Sequence, residues 1–144
     1  MIYLDSSVVF SVQVKDANTV AAVALLQSKH ETLALTRLCE VEFVNALSLR
    51  LSRKEISESQ AQASVADLEK NLSRGIYQLL PFPDGAFARA KALALTLTPT
   101  IGVRALDLLH VAAAIELGVN ALYTFDLKQH RTAQAAGLKV NHLP

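Results

Sequence analysis

The sequence predicts a single α/β domain, residues 1–144, with a mainly parallel central sheet that is covered by helices on both faces. Short β-branched or aromatic runs alternate along the chain with longer helical patterns, and such alternation is typical of parallel sheets. Alanine and leucine make up 46 of the 144 residues, which favours helix in the longer segments. The five glycines and four prolines are scattered rather than gathered into a linker, so one domain is expected.

The first half of the chain is predicted to contain two strands and three helices. Asp16 and Thr36 each precede a helical pattern and can accept hydrogen bonds from its first N–H groups. Gly75 follows the third helical pattern and favours a helix end there. The strands cover residues 2–4 and 33–35, a further apolar run covers 8–14, and the helices cover 17–28, 37–51 and 55–73.

The second half is predicted to contain three strands and three helices. Pro81 and Pro83 close a strand in a loop, and Gly118 ends a long apolar helix. Ligands of open α/β sheets bind beyond the carboxyl ends of the strands, so residues that follow a strand are the first candidates for a site. The strands cover residues 76–80, 121–125 and 138–140, and the helices cover 84–97, 103–117 and 128–136.

Composition and charge exclude several classes of protein. A hydrophobic fraction of 51% with a net charge of +1 excludes an intrinsically disordered chain and gives no overall field for nucleic acid. Cys39 is the only cysteine, which excludes a disulfide scaffold and agrees with a reducing compartment. The longest stretches without a charged residue span 12 residues, too few to cross a membrane, and no basic residue precedes Lys15 as in a signal peptide. We expect a soluble, cytoplasmic protein.

Carboxylates are the candidates for chemistry, because the sequence contains no Gly-rich phosphate loop, no paired cysteines and no serine-hydrolase elbow. Five acids interrupt apolar segments next to predicted strand ends or helix starts, where burial is costly without a compensating partner. Converging carboxylates are stable together mainly around a divalent cation, and oxygen ligands favour Mg²⁺ or Mn²⁺. The five acids are Asp5, Glu40, Glu42, Asp107 and Asp126.

Each of these acids also has a purely structural interpretation. Asp5 can cap a turn at its strand end through Ser6 and Ser7, and Asp126 can cap the last helix. Asp107 can pair with Arg104 or His110, which lie three residues away on one helical face. We expect His110 itself to contribute to helix packing.

Glu40 and Glu42 are not expected to serve the same site. Two residues apart on a helix, their side chains point about 200° apart around the axis. Both of these helix faces are apolar, so periodicity does not choose between the two acids. Glu40 has a ready structural role in the first turn, where a negative charge stabilises the helix dipole.

Taken together, these segments resemble the PIN domain family, and within it the VapC-type ribonuclease toxins of toxin–antitoxin pairs. The resemblance extends over nearly the whole chain and depends on four motifs in order. Ser6 differs slightly from the family pattern, in which Thr is common. The motifs are Ile-Tyr-Leu-Asp-Ser-Ser at 2–7, Glu-Phe-Val-Asn-Ala-Leu at 42–47, Arg-Ala-Leu-Asp-Leu-Leu-His-Val-Ala at 104–112, and Leu-Tyr-Thr-Phe-Asp at 122–126.

The resemblance implies that each motif contributes one acid to a cleft, and it selects Glu42 over Glu40. Asp5 and Asp107 would be the primary ligands of Mg²⁺ or Mn²⁺, while Glu42 and Asp126 would complete the coordination. The implied role of the hydroxyl groups is to orient substrate or ligands through hydrogen bonds. These hydroxyl groups belong to Ser6 and Thr124.

The activity implied by the resemblance is metal-dependent endoribonucleolytic hydrolysis of RNA, in a homodimeric toxin that a cognate antitoxin inhibits. Three alternatives remain open from the residues. The first is a non-catalytic PIN-like module in which the acids hold a cation or a partner protein, and the second is a nuclease that acts on DNA. The third is a phosphotransfer domain that accepts phosphate on Asp5 or Asp126.

Overall fold

The computed structural model describes residues 1–27 and 30–143. Its strands are β1 (Ile2–Leu4), β2 (Leu33–Thr36), β3 (Tyr77–Leu80), β4 (Ala121–Tyr123) and β5 (Lys139–Val140). Its helices are α1 (Ser6–Gln13), α2 (Thr19–Gln27), α3 (Arg37–Ser52), α4 (Glu58–Ser73), α5 (Ala86–Ile101), α6 (Ala105–Glu116) and α7 (Leu127–Ala135). All strand pairings are parallel, and the sheet order is β3-β2-β1-β4-β5, so β1 lies at the centre.

The two faces of the central strand pack against different helices. Ile2 and Leu4 point to the face covered by α1 and α3, where Phe43 and Leu47 are buried with them. Tyr3 points to the opposite face, in a cluster with buried residues of α6 and α7. This alternation follows from the two-residue period of a strand, and it confirms the predicted parallel sheet with helices on both faces.

The apolar run at residues 8–14 belongs mainly to α1 rather than to a strand. Asp5 accepts a hydrogen bond from the Ser7 backbone N–H, so the chain turns into a helix as soon as β1 ends. Parallel neighbours require the chain to cross back over the sheet, which is the reason for a helix at this point.

Several further boundaries differ from the sequence prediction by a few residues, and those of α2 and α5 illustrate the causes. Helix α2 begins at Thr19, and Asp16 bonds the Asn18 backbone N–H in the turn before it; Ser28, the predicted helix end, lies outside the described residues. Helix α5 continues past Pro99 to Ile101, and Gly102 supplies the left-handed conformation that ends it.

Among residues 1–27 and 30–143, the structure contains no helix that is both long enough and apolar enough to span a membrane.

Candidate active site

Asp5 is a buried carboxylate at the carboxyl end of the central strand. Asp5 follows β1 directly, and its side chain caps α1. The residue is only 4% exposed. Oδ2 accepts hydrogen bonds from the Ser7 hydroxyl at 2.6 Å, the Ser7 backbone N–H at 3.0 Å and the Thr124 hydroxyl at 3.1 Å. Oδ1 has only longer contacts, with the Gln129 amide nitrogen at 3.3 Å and the Ser6 hydroxyl at 3.5 Å. Oδ2 is therefore held by three hydrogen bonds of 3.1 Å or less, while Oδ1 is held more weakly.

Thr124 and Ser7 join the neighbouring strand–helix junctions around Asp5. Thr124 is fully buried just after β4, where its hydroxyl also accepts the Asp126 backbone N–H at 3.0 Å. The Ser7 hydroxyl accepts the Phe125 backbone N–H at 2.9 Å. The Asp5 backbone N–H donates to the Tyr123 carbonyl at 3.0 Å. These bonds fix the end of β1 against the end of β4.

Glu42 and His110 form the second part of the site. Glu42 lies on α3 with 20% of its side chain exposed, and its Oε2 is 2.5 Å from Nε2 of the fully buried His110 on α6. The same nitrogen is 3.6 Å from Asp5 Oδ1. Burial by itself lowers the pKa of His110, but the Glu42 hydrogen bond and the charges of Asp5, Glu42 and Asp107 outweigh it. The pKa of His110 is therefore raised.

Asp107 lies in the first turn of α6, one turn before His110, and is half-buried. Burial raises its pKa, and the charge of Asp126 raises it further. A hydrogen bond from the Arg104 backbone N–H acts in the opposite direction, and the charges of Asp5 and Glu42 add smaller increases. Four carboxylates thus share one electrostatic environment at this edge of the sheet.

Asp126 is the exposed member of the four. Its Oδ1 accepts the Gln129 backbone N–H at 2.8 Å, so it caps α7 as the sequence allowed. From this position the charge of Asp126 also raises the pKa of Asp107. Asp126 therefore caps the helix and contributes to the electrostatics of the other acids.

Glu40 is placed apart from these acids. It lines an exposed groove along α3 with residues of that helix alone, and the structure brings Glu42 rather than Glu40 to Asp5. The other residues that line the groove are Arg37, Val41, Val44, Asn45 and Ser48.

Three residues that contact the acids were given no role in the site from the sequence. Ser7, rather than Ser6, donates the short bond to Asp5, although both belong to the same Asp-Ser-Ser segment. His110, which was expected only to pack, bonds Glu42. It lies three residues from Asp107 on the same helix, and this spacing could have indicated that its side chain lies near the acids. Gln129 is fully buried against Asp5, and nothing in the sequence indicated it.

The residues at this edge fit a divalent cation. The carboxylate oxygens of Asp5 and Glu42 and a ring nitrogen of His110 lie within 4.8 Å of one another. Asp107 and Asp126 lie outside this tight group but within electrostatic reach of it. Within the described residues, the basic side chain that pairs with these carboxylates is His110 alone. One histidine does not balance four carboxylates, and carboxylate oxygens are the hard ligands that Mg²⁺ and Mn²⁺ prefer.

Comparison with known protein families identifies the family of this chain. The sequence profile of the PIN domain matches residues 2–135, which is nearly the whole chain. The chain belongs to the PIN domain family. No curated protein matches it in sequence.

Solved structures share the fold of this PIN domain at low sequence identity. VapC20 from Mycobacterium tuberculosis, described as a sarcin–ricin loop cleaving toxin, is 18% identical, with 96% of each chain covered and a TM-score of 0.70. VapBC2 from Rickettsia felis, bound to a DNA fragment from its promoter, is 22% identical, with 98% of each chain covered and a TM-score of 0.68. FitAcB from Neisseria gonorrhoeae is 21% identical, covering 99% of this chain and 97% of its own, with a TM-score of 0.69.

Proposed function

We propose that this PIN domain is a divalent-cation-dependent endoribonuclease that hydrolyses RNA phosphodiester bonds. The observation that carries the proposal is the gathering of Asp5, Glu42, Asp107 and Asp126 at the carboxyl edge of the sheet, where Oδ1 of Asp5 has only contacts of 3.3 Å or longer. Carboxylates placed so close together repel one another, and a cation relieves that repulsion.

The proposed ligands of Mg²⁺ or Mn²⁺ are Asp5, through Oδ1, and Asp107, with Glu42 and Asp126 completing the set. The bound cation would neutralise charge on the phosphodiester and make a water molecule a better nucleophile. Thr124 donates to the opposite oxygen of Asp5, and it therefore sets the direction in which Oδ1 points.

The hydroxyl groups near Asp5 divide into two roles. Ser7 joins Thr124 in holding Oδ2, with its own hydroxyl 2.6 Å from that oxygen. Ser6 makes only the 3.5 Å contact with Oδ1, so its hydroxyl is the one available to donate to a substrate phosphate. A hydroxyl donor at that position would orient the phosphate beside the carboxylates.

The same proposal assigns the chain to the toxins of toxin–antitoxin pairs. It would act in the cytoplasm as a homodimer, and a cognate antitoxin would inhibit it. The likeness in fold to VapC20, VapBC2 and FitAcB supports this assignment, since their chains match over nearly their full length. Growth arrest on expression of the chain, relieved by co-expression of the adjacent gene, is the expected cellular result.

The test of catalysis is cleavage of a pooled RNA by the purified chain with Mg²⁺ or Mn²⁺, with mapping of the fragment ends. We expect cleavage that EDTA abolishes and that Glu42→Gln reduces at least about tenfold, in the range for residues that hold or orient a metal. Glu40→Gln is the matched control on the same helix, and its activity should equal that of the unaltered chain.

Three results would contradict the proposal. Equal losses in Glu42→Gln and Glu40→Gln would mean that the acids of α3 act through helix stability rather than at a site. Cleavage of single-stranded DNA but not of RNA would make the chain a DNA nuclease. Calorimetric cation binding without cleavage of either polymer would make it a binding module.

A further inference from the structure

His110 has a hydrogen-bond partner on each ring nitrogen although it is fully buried. Nε2 is 2.5 Å from Glu42 Oε2, and Nδ1 is 2.8 Å from the Tyr3 hydroxyl. An ionised carboxylate only accepts hydrogen bonds, so the hydrogen of this pair is on Nε2. In the neutral ring Nδ1 is then an acceptor for the Tyr3 O–H, whereas in the imidazolium, which the raised pKa of His110 favours, Nδ1–H donates to the Tyr3 oxygen. The hydrogen bond is kept in both forms.

Tyr3 connects this pair to the centre of the sheet. It lies in the middle of β1 with no exposed surface, and its hydroxyl is also 2.9 Å from the Thr36 hydroxyl. Burial raises the pKa of Tyr3 far above its ordinary value, so the phenol keeps its hydrogen at physiological pH. Its ring lies against the imidazole, with 5.7 Å between the ring centroids.

Thr36, at the end of β2, is the next residue in this set of hydrogen bonds. It occupies the N-cap position of α3, but its side chain makes no capping hydrogen bond. The hydroxyl is fully buried and bonds Tyr3 instead. A residue that usually satisfies a helix end is used here for a contact across the sheet.

We propose that Thr36, Tyr3 and His110 form a buried hydrogen-bond chain that holds the Glu42 carboxylate in position at the cation site. The three are positioning residues, because they act through Glu42. This inference rests on the proposed function, in which Glu42 serves the cation. It goes further by assigning a role to a tyrosine inside the sheet that contacts none of the four acids.

The geometry explains why Glu42 needs such support. Its side chain is long and partly exposed, so it would otherwise sample several rotamers. Within the described residues, the hydrogen-bond partner of its carboxylate is His110. His110 in turn is kept from rotating by Tyr3, and Tyr3 by Thr36.

The test is calorimetric titration of Mg²⁺ and Mn²⁺ into the full chain, which measures affinity without any substrate. Tyr3→Phe removes one hydroxyl and keeps the ring, and we expect it to weaken cation binding about tenfold, as loss of a supporting hydrogen bond does at metal sites. Tyr77→Phe is the matched control, because Tyr77 is a buried tyrosine of β3 that packs with Phe43 and Leu47 on the α1 and α3 face of the sheet. It should bind the cation as the unaltered chain does.

A second pair of variants covers the case in which Tyr3→Phe folds poorly. Thr36→Val removes the hydroxyl at nearly constant shape and should weaken binding, whereas Thr36→Ser keeps a hydroxyl and should retain more affinity than Thr36→Val. Thermal unfolding of each variant shows whether it is folded at the temperature of the titration.

Nitrogen NMR of the His110 ring reports directly on its two hydrogen bonds and on whether His110 becomes a ligand. We expect Nε2 to stay protonated when Mg²⁺ binds, and Nδ1 to shift in Tyr3→Phe but not in Tyr77→Phe. Loss of the Nε2 hydrogen on Mg²⁺ binding would make His110 a ligand and overturn the inference. Unchanged affinity in both Tyr3→Phe and Thr36→Val would also overturn it.

The two proposals fail in different ways. If the unaltered chain binds neither cation, or if Asp5→Asn binds them equally well, the proposed function fails and the inference fails with it. If the unaltered chain binds and Asp5→Asn does not, while Tyr3→Phe binds normally, only the inference fails.

Discussion

The chain builds one local arrangement twice, at the ends of the neighbouring strands β1 and β4. In each case an aspartate follows the strand and caps the next helix: Asp5 caps α1, and Asp126 caps α7. The surroundings of the two carboxylates differ. Asp5 is 4% exposed and receives donors from both junctions, whereas Asp126 is exposed and bonds the first turn of its own helix.

Position in the sheet accounts for this difference. Strand β1 is central, so its carboxyl end is enclosed by Thr124 and Gln129 on the β4 side and by Glu42, from the helix that follows β2, on the other. Strand β4 lies next to the edge strand β5, and Asp126 stands two residues beyond the buried Thr124. Helix capping alone therefore does not distinguish a carboxylate fixed in a site from one at its rim.

The largest effect is expected from Asp5→Asn. The amide can still accept the hydrogen bond that caps α1, but it loses the charge that would hold a cation. RNA cleavage, measured as kcat/KM, should fall by more than about 100-fold, beyond the range typical of residues that only support a ligand. Thermal unfolding in EDTA provides the control for folding, and activity within twofold of the unaltered chain would contradict the assignment.

A smaller loss is expected from Asp126→Ser. Serine can cap α7, so the change removes the charge while keeping the helix end. We expect kcat/KM to fall about tenfold, because an exposed carboxylate at the rim completes the site rather than anchoring it. A loss as large as that of Asp5→Asn would show that exposure does not separate the two roles.

Ser6 and Ser7, which follow Asp5 at the end of β1, should differ in their contribution to the free energy of unfolding. Ser7→Ala removes a 2.6 Å donor to a buried carboxylate and should cost about 1–3 kcal/mol in the free energy of unfolding. Ser6→Ala removes only the 3.5 Å contact and should stay within about 0.5 kcal/mol. Urea unfolding in EDTA measures both changes, and equal costs would show that the short bond does not fix Asp5.

The smallest expected effect is a change in the titration of Asp107. A neighbouring negative charge disfavours ionisation, and the charge of Asp126 contributes to the raised pKa of Asp107. Asp126→Asn removes that charge, so the pKa of Asp107 should fall and its carboxyl should ionise at lower pH. Carbon NMR of the Asp107 carboxyl in EDTA measures this shift, and an unchanged or higher pKa would contradict the shared environment of the two acids.

Much of the architecture could be predicted from periodicity and helix-end signals. Alternation of short apolar runs with helical patterns was sufficient for the parallel sheet, and Asp126 was recognised as a helix cap. The apolar run at residues 8–14 could not be assigned to a helix or a strand from the sequence, because a short buried helix and a buried strand have the same hydrophobic content. Boundaries such as the end of α5 depend on how a proline and a glycine fall within a single turn.

The contacts among the acids could be predicted only in part. Motif resemblance chose Glu42 over Glu40, and the structure brings Glu42 to Asp5. The hydrogen bonds of His110 and Gln129 escaped prediction, because their partners are 68 and 124 residues away along the chain. A local sequence pattern does not determine which face of a helix packs against the end of which strand.

The sequence by itself determined the α/β class, the order of the elements and the identity of the candidate acids, because periodicity, helix caps and residue chemistry act over a few neighbouring positions. The tertiary structure decided which of those acids are buried and which donors reach them. The central place of β1 encloses Asp5, and the packing of α3 and α6 on either side of the sheet joins Glu42 to His110. These features depend on contacts between distant segments, and such contacts exist only once the sheet has assembled.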